Sequence, residues 1–123
     1  MASVIFEIKH YQISWRQLEN RDVAGAKIKI RGLVRCTGME PQSKTEYTLD
    51  VVFLAPDSPV PQPSFNSNER KGAMYMPIAD MLAFVDMLRH EKPIFGHLYD
   101  EKPDWFSVTT NKEPVGSAET GEE

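Results

Sequence analysis

Residues 26–36 read AKIKIRGLVRC, and the alternation in this stretch constrains the fold more than any other feature. In an extended chain, successive side chains point to opposite faces. Ala26, Ile28, Ile30, Val34 and Cys36 then fall in one row with Gly32, and Lys27, Lys29, Arg31 and Arg35 in the other with Leu33. The pattern predicts a half-buried strand, with an apolar side against a core and a cationic side toward solvent. The chain nevertheless carries a formal net charge of −4. The imbalance is local, because the first fifty residues are mildly basic and the acidity sits in the second half and the C-terminal tail.

Other segments carry weaker forms of the same signal. Val4, Phe6 and Ile8 alternate, and the apolar parity then switches to Tyr11, Ile13 and Trp15. A one-residue slip of this kind predicts a β-bulge around Lys9–Tyr11. The polar run RQLENRDVAG reads as a connection, and TGMEPQSK as a turn. In TEYTLDVVFLA, Tyr47, Leu49, Val51 and Phe53 alternate with Glu46, Thr48 and Asp50. Val52 and Leu54 make the far end of that strand apolar on both sides, which predicts that other structure covers it. Pro56, Pro59, Pro61 and Pro63 mark residues 56–72 as a mobile, Pro-rich loop that excludes helix and central strand. AMYMP is a short strand candidate before a helix over residues 77–91, whose buried stripe comprises Ile78, Met81, Leu82, Val85 and Leu88, widened by Phe84. Residues 93–100 and 105–110 then read as a hairpin.

This order, β-β-β-(β)-α-β-β, predicts an α+β domain over residues 1–110: a bent antiparallel sheet packed on one amphipathic helix. An OB-like five-stranded barrel is the alternative. The tail, residues 111–123, has little to bury and reads as disordered and acidic. At 123 residues with 41% hydrophobic content, the chain is long enough to form a core without staples. One cysteine rules out an intramolecular disulfide, and no run reaches the ~18 apolar residues of a membrane span. A cytoplasmic location without membrane association is the expectation.

Lys27, Lys29, Arg31 and Arg35 are the candidates for binding a polyanion. Cations on alternate positions lie about 6.5–7 Å apart, near the phosphate spacing of an extended nucleic-acid strand. Cross-strand ion pairs with Glu46 and Asp50 offer a different explanation of the same row. Phe84 and Met87 are the candidates for an interaction surface, Met87 because it projects away from the helical stripe. Tyr75, Trp105 and Phe106 suggest a small-molecule pocket beneath the Pro-rich loop. Asp86 and His90 are spaced as an exposed helical pair, and no metal-ligand spacing, catalytic motif or cofactor fingerprint is present. The sequence therefore points to a non-catalytic binding module for single-stranded nucleic acid or another polyanion. The alternative is a protein–protein adaptor, or a homodimeric structural protein using the helix and the Pro-rich loop.

Overall fold

Two long strands set the architecture of the computed structural model, which describes residues 3–100 and 106–112. β1 (Ser3–Val23) and β2 (Ala26–Met39) form an antiparallel ribbon. Ala24 and Gly25 join them with φ of 50° and 84°. Positive φ at both central residues is what a two-residue hairpin turn of type I′ requires, because its twist matches that of the strands. Residues 16–23 are therefore strand and not the expected connection. Their alternation is weak because this half of the ribbon lies largely in solvent.

β3 (Glu46–Leu54) runs antiparallel to β2. β4 (Ser64–Asn66) follows, so the Pro-rich segment contains a short strand. β5 (Lys71–Pro77) pairs antiparallel with β4 and parallel with β3. Pro77 closes β5 with extended geometry, and a 3-10 turn at Ile78–Asp80 leads into α1 (Met81–His90). A cis Lys92–Pro93 bond precedes β6 (Ile94–Tyr99), which pairs antiparallel with β1 and with β7 (Ser107–Thr110). The result is an α+β fold: a seven-stranded mixed sheet in the order β4-β5-β3-β2-β1-β6-β7, with its helix between β5 and β6. The sheet bends until Leu98 of β6 packs on Gly72 of β5. No ladder joins those two halves among the described residues, so the pairing gives no support to the OB-like barrel. Of the C-terminal tail, only residues 111 and 112 are described.

Three breaks in register shape the sheet. One lies between Ile8 and His10 of β1, at the bulge expected from the parity switch. It keeps Val4, Phe6 and Ile8 on the same side as Tyr11, Ile13 and Trp15. The other two coincide at Arg31, where β2 slips against β1 between Trp15 and Glu19, and against β3 between Ile30 and Gly32. Directly paired residues share a face. Ile30 pairs with Leu54 whereas Gly32 pairs with Phe53, so the apolar row of β2 changes sides at Arg31.

Each side consequently has its own core. On the helix side, Phe6, Val34, Cys36, Leu49, Val51 and Phe53 pack with Met81, Phe84, Val85 and Leu88 of α1. The Phe53 and Phe84 rings lie 5.7 Å apart at 54°. On the other side, Ile28 and Ile30 join Val52 and Leu54, with Val23, Leu33 and Tyr75 around them. Val52 and Leu54 are thus covered, as their two-sided apolarity implied.

Gly38 sits opposite the first bulge, where the β1 backbone leaves no room for a side chain. A β-carbon there would fall 1.8 Å from the Glu7 carbonyl oxygen, a backbone atom that cannot turn aside. At Gly32 the nearest atom, at 2.5 Å, is Sδ at the flexible end of Met81. Gly38→Ala is therefore expected to lower the unfolding free energy by about 3 kcal/mol or more, and Gly32→Ala by about 1 kcal/mol. Urea unfolding of the two variants beside the parent checks the order.

Candidate functional site

The cationic row of β2 is divided by the register break at Arg31. Lys27 and Lys29 lie on the helix side of the ribbon, whereas Arg35 pairs with Asp50 on the opposite side. The four cations therefore do not form the single face expected from their spacing.

Two of the four have carboxylate partners. Lys29 Nζ lies 2.6 Å from Asp57 Oδ2. The hydrogen bond from Lys29 holds the Asp57 carboxyl below the usual carboxylate range. The Lys29 backbone N–H also donates to Ser58 Oγ at 2.9 Å, and its carbonyl accepts from the Ala55 N–H. These contacts fix the start of the Pro-rich segment against β2. Arg35 donates through Nε and Nη2 to the two oxygens of Asp50 at 2.8 and 3.0 Å. Planar two-point pairing is the strong geometry for a guanidinium and a carboxylate. It raises the Arg35 pKa, chiefly through the hydrogen bond. Lys71 Nζ approaches the same carboxylate at 3.6 Å. Arg31 donates to the Arg16 carbonyl oxygen at 3.3 Å, and Lys27 has no ion-pair partner among the described residues. The cross-strand explanation thus accounts for Arg35, and a loop carboxylate for Lys29.

The helix also differs from its expected pattern. Phe84 is buried in the core against Phe53, and Met87 is half-buried and packs on the same cluster. Phe84 thus faces the core, and Met87 is only partly exposed. Leu82, expected on the buried stripe, is 70% exposed. The true stripe is Met81, Phe84, Val85 and Leu88, at i, i+3, i+4 and i+7, which leaves Leu82 at its margin.

The proposed pocket residues do not meet either. Tyr75 belongs to the cluster with Val52, whereas Phe106 is buried on the helix side and packs on Gly72; Trp105 lies outside the described residues. Asp86 and His90 form the expected helical contact at 3.3 Å. Among the described residues no group of three or more His, Cys, Asp and Glu side chains stands together as a metal site. No helix among them is long and apolar enough to cross a membrane.

The surface that stands out carries no sequence motif. β6 pairs with β1 only from Ser3 to Glu7. From Ile8 to Val23, β1 has a strand neighbour on one side only among the described residues. An unpaired edge presents a row of backbone donors and acceptors to any extended chain. Beside it, the flank of α1 and the helix-facing side chains of β1 enclose two recesses that share Arg89. One, of about 350 Å³, is lined by Ile13, Trp15, Leu82, Val85 and Asp86 as well; the other, of about 310 Å³, runs past Ile8, Lys9 and Tyr11 to the end of the helix. Trp15 is 59% exposed and Tyr11 36%. The parity of Tyr11, Ile13 and Trp15 was legible, but nothing local shows that β6 stops at Glu7 and leaves them at an edge.

Cys36 lies outside this surface. It is fully buried, and loss of solvation, reinforced by the nearby Asp50 charge, pushes its thiol up to about 12. A shift of that size lowers the thiolate fraction at neutral pH by a factor on the order of 10³. Ellman's reagent is expected to leave Cys36 unmodified in the folded chain and to titrate one thiol in urea. Prompt reaction without denaturant would show that the strand opens.

Comparison of the chain with family models, with curated proteins and with solved structures finds no match.

Proposed function

We propose that this chain is a non-catalytic protein-interaction module that takes up an extended polypeptide along the seam between the free edge of β1 and the flank of α1. The observation that carries this reading is the one-sided pairing of β1 from Ile8 onward, beside exposed Tyr11, Trp15 and Leu82. Strand addition draws affinity from main-chain hydrogen bonds and specificity from pockets for alternate side chains. The seam offers both, since the recesses lined by Ile13 and by Tyr11 lie between the strand and the helix flank. Large aromatic side chains such as Trp15 are also the usual anchors of protein interfaces.

A polyanion on β2 has less in its favour. Two of its four candidate cations already meet carboxylates, and the row is split between the two sides of the sheet. The Lys29 pair lies in solvent and the Arg35 pair is part-buried, and each is a sufficient reason for its charge.

A photo-crosslinking residue placed at Leu82 is expected to capture protein in the cells that produce the chain. The same residue at exposed Gln42, in the β2–β3 turn, is expected to capture far less. Equal capture at the two positions, or capture at Gln42 alone, removes the seam as the working surface.

A further inference from the structure

Resting on this reading of the seam, we infer that the polypeptide it takes up is β1 of a second copy of this chain, paired antiparallel about a two-fold axis through Ile13. Between the bulge at Lys9 and the register break after Trp15, β1 runs regularly from His10 to Trp15. That stretch is the part of the edge best shaped to receive a strand. Its side toward the helix carries Tyr11, Ile13 and Trp15.

Directly opposed residues of an antiparallel pair share a face. With the axis at Ile13, each Tyr11 lies across from Trp15 of the other copy, and Ile13 meets Ile13. On the other side, Gln12 lies across from Ser14, and the edge of the regular stretch sets His10 near Arg16. Moving the axis to Gln12 leaves Trp15, and moving it to Ser14 leaves Tyr11, with no residue across from it within the regular stretch His10–Trp15.

The helices give a second and independent match. A two-fold normal to the sheet keeps both copies of α1 on one side of the joined sheet. Arg89 lines both recesses and has no ion-pair partner among the described residues. Asp86 is 72% exposed, with His90 at 3.3 Å as its contact. The axis turns Arg89 of each copy toward Asp86 of the other, so two opposite-charge contacts form at once. A closed pair also covers the regular part of both free edges, where a bare strand is open to uncontrolled pairing.

Sedimentation velocity of the full chain over a concentration series is expected to show a species of twice 14.0 kDa. Trp15→Glu and Leu82→Glu, both at exposed positions, are each expected to raise the dissociation constant by roughly 30-fold or more. Circular dichroism and urea unfolding should show both variants to be folded. The register is read separately: a Gln12→Cys/Ser14→Cys chain should form a disulfide-linked dimer on mild oxidation, because opposed Cα atoms about 4.5–5.5 Å apart suit that bond. A chain that stays monomeric throughout overturns the self-pairing, as does a dimer untouched by both Glu variants or one that fails to cross-link. If the chain is monomeric and the crosslinker at Leu82 captures a different protein, the self-pairing falls and the seam remains an interface. If Leu82 and Gln42 capture alike, the seam itself falls.

Discussion

The ladder between β1 and β2 holds the sheet together, and the register break at Arg31 determines which side of the sheet the residues of β2 reach. Before Arg31 the buried residues Ile28 and Ile30 of β2 join the core around Val52 and Leu54; after it Val34 and Cys36 join the core beneath α1. One extra residue reverses the sides of a strand, so a single amphipathic sequence serves two cores on opposite sides of one sheet. The bulge at Lys9 does the converse for β1, keeping two apolar runs of opposite parity on one side. The side of the sheet that each apolar run reaches, and the lack of room for a side chain at Gly38, go with these breaks.

The same geometry disposes of the charges. Asp50 is 8% exposed and lies between Arg35 and Lys71, so the one buried charged residue among those described has cations on both sides. A carboxylate buried that deeply without partners would carry a heavy desolvation cost, and the two-point bond from Arg35 offsets it. Lys29 acts on the loop instead, since its backbone and side chain together hold the first turn of the Pro-rich segment. The basic strand of an acidic protein is thus largely a set of local attachments between strands and loop.

The exposed surface follows from where pairing ends. β6 leaves β1 after Glu7, and α1 covers the sheet without reaching over Trp15 or Tyr11. Single exposed apolar residues are ordinary on a protein surface. Here Tyr11, Trp15 and Leu82 stand along an unpaired strand edge, with recesses between them and the helix. Backbone hydrogen-bonding groups and apolar side chains in one place are the two requirements for taking up another strand.

Much of this architecture is written in local periodicity. The alternation in residues 4–15 and 46–54 announced β1 and β3, including the bulge at Lys9, and the spacing around Met81–Leu88 announced the helix. The α+β class followed from that order of elements. Other features had no local signature. A strict period of two across residues 26–36 carries no mark of a bulge at Arg31, because the slip is set by what β1 and β3 place opposite it. Residues 16–23 look like a loop because their strand is largely solvated. Leu82 looked buried because a helical stripe drawn from sequence has no fixed margin until another surface meets it. The sequence by itself therefore determined which segments extend, which coil, and which side chains seek a core. Which side of the sheet each one reaches, and which strand edge is left without a neighbour, was decided only by tertiary pairing, since register and edge status are relations between distant segments.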